Sequence, residues 1–127
     1  SLEAETETAT SLGIEKLQES IKKRPPRKQP RSATTTTTVF DRDARIVALA
    51  KKRAAYRCEV RGCTTPLFKK ADGTSYVEVH HIIMLADGGR DEPENVACLC
   101  PNHHRELHYG LNAGKLRDAI VALRKDG

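Results

Sequence analysis

A chain of 127 residues with no Trp, 4% aromatic and 31% charged residues has room for one small domain and a thin apolar core. Cores of that size usually need a disulfide or metal staple, and no apolar run is long enough to span a bilayer. The formal charge of +5 points to an anionic partner. The excess sits in the flanks, at 22–31 and 42–57, whereas acids outnumber bases between Cys58 and His108, where a divalent cation would offset them.

In chain order, residues 1–23 predict one weak helix, capped by Thr10 or Ser11 and carrying Leu12, Ile14, Leu17 and Ile21. The Pro-rich basic stretch 24–31 and the threonine run 34–38 predict an extended or disordered linker, so residues 1–38 form an N-terminal segment. The remainder, 39–127, opens with a helix capped by Asp41 or Asp43, its core side made by Ile46, Val47, Leu49, Ala50 and Ala54. Its outer face presents basic side chains. A knuckle follows at Cys58–Cys63, with Gly62 allowing the turn. Leu67–Phe68 predicts a strand, Asp72–Gly73 a hairpin turn, and Ser75–Val79 the return strand. Asn95–Leu99 predicts another strand, Pro101–Tyr109 a helix stopped by Gly110, and Lys115–Lys125 a last helix using Leu116, Ile120 and Leu123.

All five histidines and all four cysteines lie between 58 and 108. Without an export signal, and with cysteines interleaved among histidines, metal binding in a reducing cytoplasm is the better reading than disulfides. His104 and His108, spaced i, i+4, share one helix face and can share an ion with His80. Three protein ligands leave positions open, as in a catalytic site. His81 must point to the opposite side of the strand, free to act as general base, since histidine readily exchanges protons near neutral pH. Asn95 has the donor and acceptor needed to tie down the His81 loop.

His80-His81, Asn95 and His104, with Gly88-Gly89, Cys100-Pro101-Asn102 and His104 through Tyr109, resemble the His-Asn-His signature of HNH endonucleases, in particular the Mcr-type branch found in modified-cytosine-dependent restriction enzymes. The resemblance covers about 57–109. It implies an α+β, zinc-stabilised ββα-metal nuclease domain with flanking helices. It also implies His80, His104 and His108 as metal ligands, His81 as base and Asn95 as its orienter, in hydrolysis of DNA phosphodiesters. Family members usually carry Cys-x2-Cys and Cys-Pro-x-Cys pairs on a structural zinc. This sequence departs from both, leaving Cys58, Cys63, Cys100 and His103 as the favoured zinc set and Cys98 in place of His103 as its rival.

Arg42, Arg45, Lys51, Lys52, Arg53, Arg90 and Arg105 are the expected phosphate contacts, which position nucleic acid without reading its sequence. Mg²⁺ or Mn²⁺ is the expected catalytic ion, although imidazoles also suit Co²⁺, Ni²⁺ and Zn²⁺. The expected partner is double-stranded DNA, with modified cytosine read by a separate upstream domain and a homodimer for double-strand cleavage. The competing class is a non-catalytic, zinc-stabilised nucleic-acid-binding module, which would need neither His81 nor an open coordination position.

Overall fold

The computed structural model describes residues 1–26 and 40–125; most of the expected linker, and Val39, lie outside the described residues. The chain divides into a unit of 1–37 and a unit of 38–127. Among the described residues no helix is long and apolar enough to cross a membrane.

The first unit has two helices where one was expected: α1 (Leu2–Thr10) and α2 (Ile14–Lys23). Helix α1 lacks an apolar stripe, which is why periodicity does not reveal it. It is held locally instead. The Ser1 hydroxyl accepts from the Ala4 amide, Glu3 and Glu5 sit at the positive end, and Thr6, Thr8 and Thr10 donate to carbonyls four residues back. Gly13, rather than Thr10 or Ser11, caps α2.

The second unit is α+β. Helix α3 (Ala44–Arg53) starts at Asp43, whose carboxylate accepts from the Arg45 amide at 2.9 Å. Two consecutive left-handed residues, Ala55 (φ 54°) and Tyr56 (φ 57°), then turn the chain into the cysteine knuckle. Strands β1 (Glu78–His81) and β2 (Val96–Leu99) pair antiparallel, with Glu78 opposite Leu99, Val79 opposite Cys98, His80 opposite Ala97 and His81 opposite Val96. Helices α4 (Pro101–Tyr109) and α5 (Ala113–Lys125) follow.

All of β2 is buried, as the central layer of a three-layer arrangement must be. Ala97 and Leu99 pack with Ile82, Leu107 of α4 and Ile120 of α5, while α3 lies against the sheet with Ala50 fully buried. Partner residues in a ladder share a face, so Glu78 and His80 stand on the Ala97–Leu99 side and Val79 and His81 on the other.

Four expectations change. The return strand expected at Ser75–Val79 is paired as β1 only from Glu78 and runs on to His81. Leu49 is exposed, because Ala50 takes the closest approach to the sheet. Leu67–Phe68 forms no strand: the hairpin closes through one bridge, Lys69 with Ser75, around Gly73 at φ 87°, and exposed Phe68 stacks on Tyr76 at 4.9 Å. Asn95 ends a 3₁₀ turn rather than beginning β2.

Candidate metal centres and nucleic-acid groove

The end of β1 delivers His80 to the face that α4 covers, where His104 and His108 project one turn apart. Their ring centroids stand 5.1 Å (His80–His104), 5.7 Å (His80–His108) and 5.2 Å (His104–His108) apart. One nitrogen from each lies within 4.8 Å of the others, a spacing one ion can bridge. Burial, then the neighbouring His104 and His108 imidazoles, lowers the His80 pKa to about 4, and burial, then His104, also lowers that of His108. Rings kept neutral in this way retain the lone pairs that a metal needs.

Behind His104 stands a pair of side chains that spacing alone did not single out. Glu78 Oε1 lies 2.8 Å from His104 Nδ1, and the Tyr76 hydroxyl donates to Glu78 Oε2 at 2.7 Å. The Tyr76 hydrogen bond, and more weakly His104, hold the Glu78 carboxyl below its ordinary pKa against the opposing effect of burial. A carboxylate accepts only, so His104 carries its proton on Nδ1 and turns Nε2 toward the cluster. The signal was present in the sequence: Tyr76, Glu78 and His80 fall at alternate positions leading into and along β1.

His81 occupies the opposite face and is 6% exposed, more enclosed than a solvent-facing base was expected to be. It still lines a cavity of about 310 Å³ together with His80, His104, His108 and Arg42. Its Nε2 lies 2.8 Å from Asp91 Oδ1. The Asn95 side chain hydrogen-bonds not to His81 but to the loop after it: it accepts from the Ile83 amide at 2.9 Å and donates to the carbonyls of Ile83 at 3.0 Å and Arg90 at 2.7 Å. These bonds clamp the loop between the strands, immediately after His81.

The second cluster joins Cys58, Cys63, Cys100 and His103, again with donor atoms within 4.8 Å of one another. Gly62, at φ 77°, turns the knuckle, and the Cys63 amide closes it on the Val60 carbonyl. Cys100 is the N-cap of α4, its sulfur accepting from the His103 amide. The Cys63–Cys100 sulfurs stand 3.9 Å apart, and His103 Nδ1 is 3.3 Å from Cys100 and 3.5 Å from Cys58. Tetrahedral zinc requires edges of about 3.8 Å between sulfurs and about 3.5 Å between sulfur and nitrogen, so this donor set fits it. Cys98 lies outside the quartet, fully buried against the α3 side of the sheet, where burial pushes its thiol up to about 11.

Of the basic residues, Arg42, Lys51 and Arg105 line a groove of about 450 Å³ with Glu78, His104 and His108, adjoining the His81 cavity. Lys52 and Arg90 are not among its lining residues. Arg45 is paired with its neighbour Asp43 at 2.6 Å. Arg53 donates to the carbonyls of Pro93 at 2.9 Å and Val96 at 3.0 Å, which commits its guanidinium to the fold.

The sequence and fold have known relatives. Residues 58–110 match the family of HNH endonucleases. Over 82 residues, 65% of this chain, the sequence is 42% identical to the type IV methyl-directed restriction enzyme EcoKMcrA of Escherichia coli (strain K12), covering 29% of that protein. Among solved structures, the type IV phosphorothioation-dependent restriction endonuclease ScoMcrA is similar with a TM-score of 0.61 at 34% identity, over 67% of this chain and 16% of that one. The chain thus spans less than a third of either relative. By its matched segment, residues 58–110, and by its fold, the chain is similar to the HNH endonucleases.

Proposed function

We propose that residues 39–127, around a core of 57–109, are the cleavage domain of a metal-dependent DNA endonuclease, preceded by a linker segment at 1–38. The observation that carries this reading is that His81 and the His80–His104–His108 cluster, on opposite faces of one strand, open on the same cavity. A module that only binds nucleic acid has no use for that convergence.

His80, His104 and His108 would hold the catalytic ion, with Glu78 and Tyr76 fixing His104 behind it. A bound divalent ion supplies charge stabilisation at the phosphate and at the departing sugar oxygen. Arg42, Lys51 and Arg105 seat the phosphates along the groove, and His81 takes a proton from the attacking water. Asn95 keeps the loop after His81 from moving, so the base stays where water must be activated. Cys58, Cys63, Cys100 and His103 would hold structural zinc, fastening the start of α4 to the knuckle. Four cysteines free of disulfides suit a reducing compartment such as the cytoplasm.

The groove offers cations for phosphates, chemistry that does not read bases. Two proteins similar to this chain are named for different modifications, methylation and phosphorothioation. Recognition of modified cytosine, which requires contacts to the base, is assigned in this reading to a part of the protein outside this domain. One such site cuts one strand, and a double-strand break needs two copies or two successive nicks.

The test is nicking of supercoiled plasmid by the parent chain and His81→Ala across Mg²⁺, Mn²⁺, Co²⁺, Ni²⁺ and Zn²⁺. Metal-dependent nicking by the parent, and its loss in the variant, is expected. Plasmid that is bound but left intact under every metal would replace this reading with the binding module.

A further inference from the structure

We propose that Asp91 is the positioning residue of His81, setting which of its ring nitrogens carries the proton. This rests on the reading of His81 as the base that activates water. Asp91 stands in the loop between the strands, belongs to neither metal cluster, and hydrogen-bonds to His81 and the Asp43 amide rather than to any candidate ligand. One oxygen, Oδ1, lies 2.8 Å from His81 Nε2, and the other, Oδ2, accepts from the Asp43 backbone amide at 2.6 Å.

Because a carboxylate has no proton to give, the Nε2 facing it must carry the hydrogen. Nδ1 is then the lone pair that His81 keeps for water. A general base works only with the free nitrogen toward its substrate, and a ring in the wrong tautomer is as inert as a missing one. The Asp43 amide, in turn, holds the carboxylate in place. Asp43 is also the N-cap of α3, whose Lys51, with neighbouring Arg42, lines the phosphate groove. Asp91 therefore sits between the groove's basic wall and the base, and both of its oxygens are engaged.

Asp91→Asn separates positioning from mere scaffolding. An amide has one acceptor and one donor group. If its oxygen keeps the Asp43 amide, its NH₂ faces Nε2 and moves the ring proton to Nδ1. We expect plasmid-nicking kcat to fall by about 10²- to 10⁴-fold, the scale seen when an Asp-His pair loses its carboxylate, with KM nearly unchanged. Asp91→Asn placed on His81→Ala should produce no further loss, because the residue acts only through the ring.

The readout independent of activity is ¹H–¹⁵N correlation of the His81 ring in the full chain. It should show Nε2–H in the parent and Nδ1–H in Asp91→Asn. A parent ring protonated on Nδ1 overturns the proposal. So does Asp91→Asn cleaving at the parental kcat, losing activity wholly through KM or melting temperature, or adding to the His81→Ala defect. A parental rate from His81→Ala would remove the base itself, and this inference with it. An inactive His81→Ala beside a fully active Asp91→Asn would remove this inference alone.

Discussion

His80 and His81 are neighbours in sequence and strangers in space: His80 lies 5.1 Å, ring to ring, from His104 on the α4 side, while His81 lies 2.8 Å from Asp91 on the α3 side. The cause is the two-residue period of a strand. In the proposed reading that period gives one short element access to two chemistries, metal coordination on one face and proton transfer on the other. The edge of β1 faces the groove between the helices, so both faces reach the same phosphate-sized space.

The cluster of Cys58, Cys63, Cys100 and His103 makes opposite predictions for Cys58, inside it, and Cys98, outside it. Burial pushes the Cys58 thiol up to about 12, so the metal-free cluster holds a proton that zinc would displace. Apparent zinc binding worth about 10–16 kcal/mol equals or exceeds the total stability of a small domain. Cys58→Ser should therefore lose its zinc and its cooperative thermal transition. Cys98→Ala, deep in the core but outside the quartet, should keep one zinc per chain and cost on the order of 1 kcal/mol. Metal content and melting curves of the two variants decide it; zinc retained by Cys58→Ser would refute the ligand set.

The two groupings of His and Cys side chains are legible in the sequence because thiolate and imidazole donors are scarce and the helix period ties His104 to His108. Glu78 and Asp91 were not singled out, since an acid in a strand or polar loop looks like any solvated charge until the strand register places it beside a particular ring. Leu49 and the Leu67–Phe68 segment misled for a related reason. Apolar character says that a side chain can be buried, not that a neighbour is available to bury it. Helix α1 is not legible by periodicity because its Ser1 cap and acidic first turn, rather than an apolar face, favour it.

The Gly88–Gly89 pair predicts a second contrast. Gly88 has φ 88° with open space around it, so alanine there meets only the left-handed penalty of about 1–2 kcal/mol. Gly89 is pressed against the chain, where an added Cβ would lie 1.9 Å from the Ile83 carbonyl oxygen. Backbone cannot yield as a side-chain tip can, so Gly89→Ala must displace the loop and break the Asn95 bonds to Ile83. We expect the larger destabilisation there, about 2–3 kcal/mol at roughly 1 kcal/mol per broken hydrogen bond. Hydrogen exchange at the Ile83 amide, accelerated in Gly89→Ala and Asn95→Ala more than in Gly88→Ala, is the check.

Acid should weaken the fold through His80. Its folded pKa of about 4 lies below the ordinary 6.5, so between those values the unfolded chain binds more protons than the folded one. The contribution is fully present above pH 6.5 and is lost progressively as the pH falls toward 4. Without added divalent ion, the melting temperature should drop across this window, and His80→Gln should flatten the slope relative to the parent. Equal slopes in the two proteins would show that His80 is not buried neutral.

The basic residues should sort by salt dependence. Removing a side chain that neutralises one phosphate lowers the slope of log Kobs against log salt concentration by about 0.9. Measured by anisotropy on a short duplex in the His81→Ala background, Arg42→Ala, Lys51→Ala and Arg105→Ala should each lower the slope by roughly that amount, because they line the groove. Arg53→Ala should leave the slope intact. Its guanidinium is bound to the Pro93 and Val96 carbonyls, so its removal should appear as about 1–3 kcal/mol of stability instead. A slope that fell with Arg53→Ala and held with Arg42→Ala would move the DNA path off the β1 edge, away from both histidine faces.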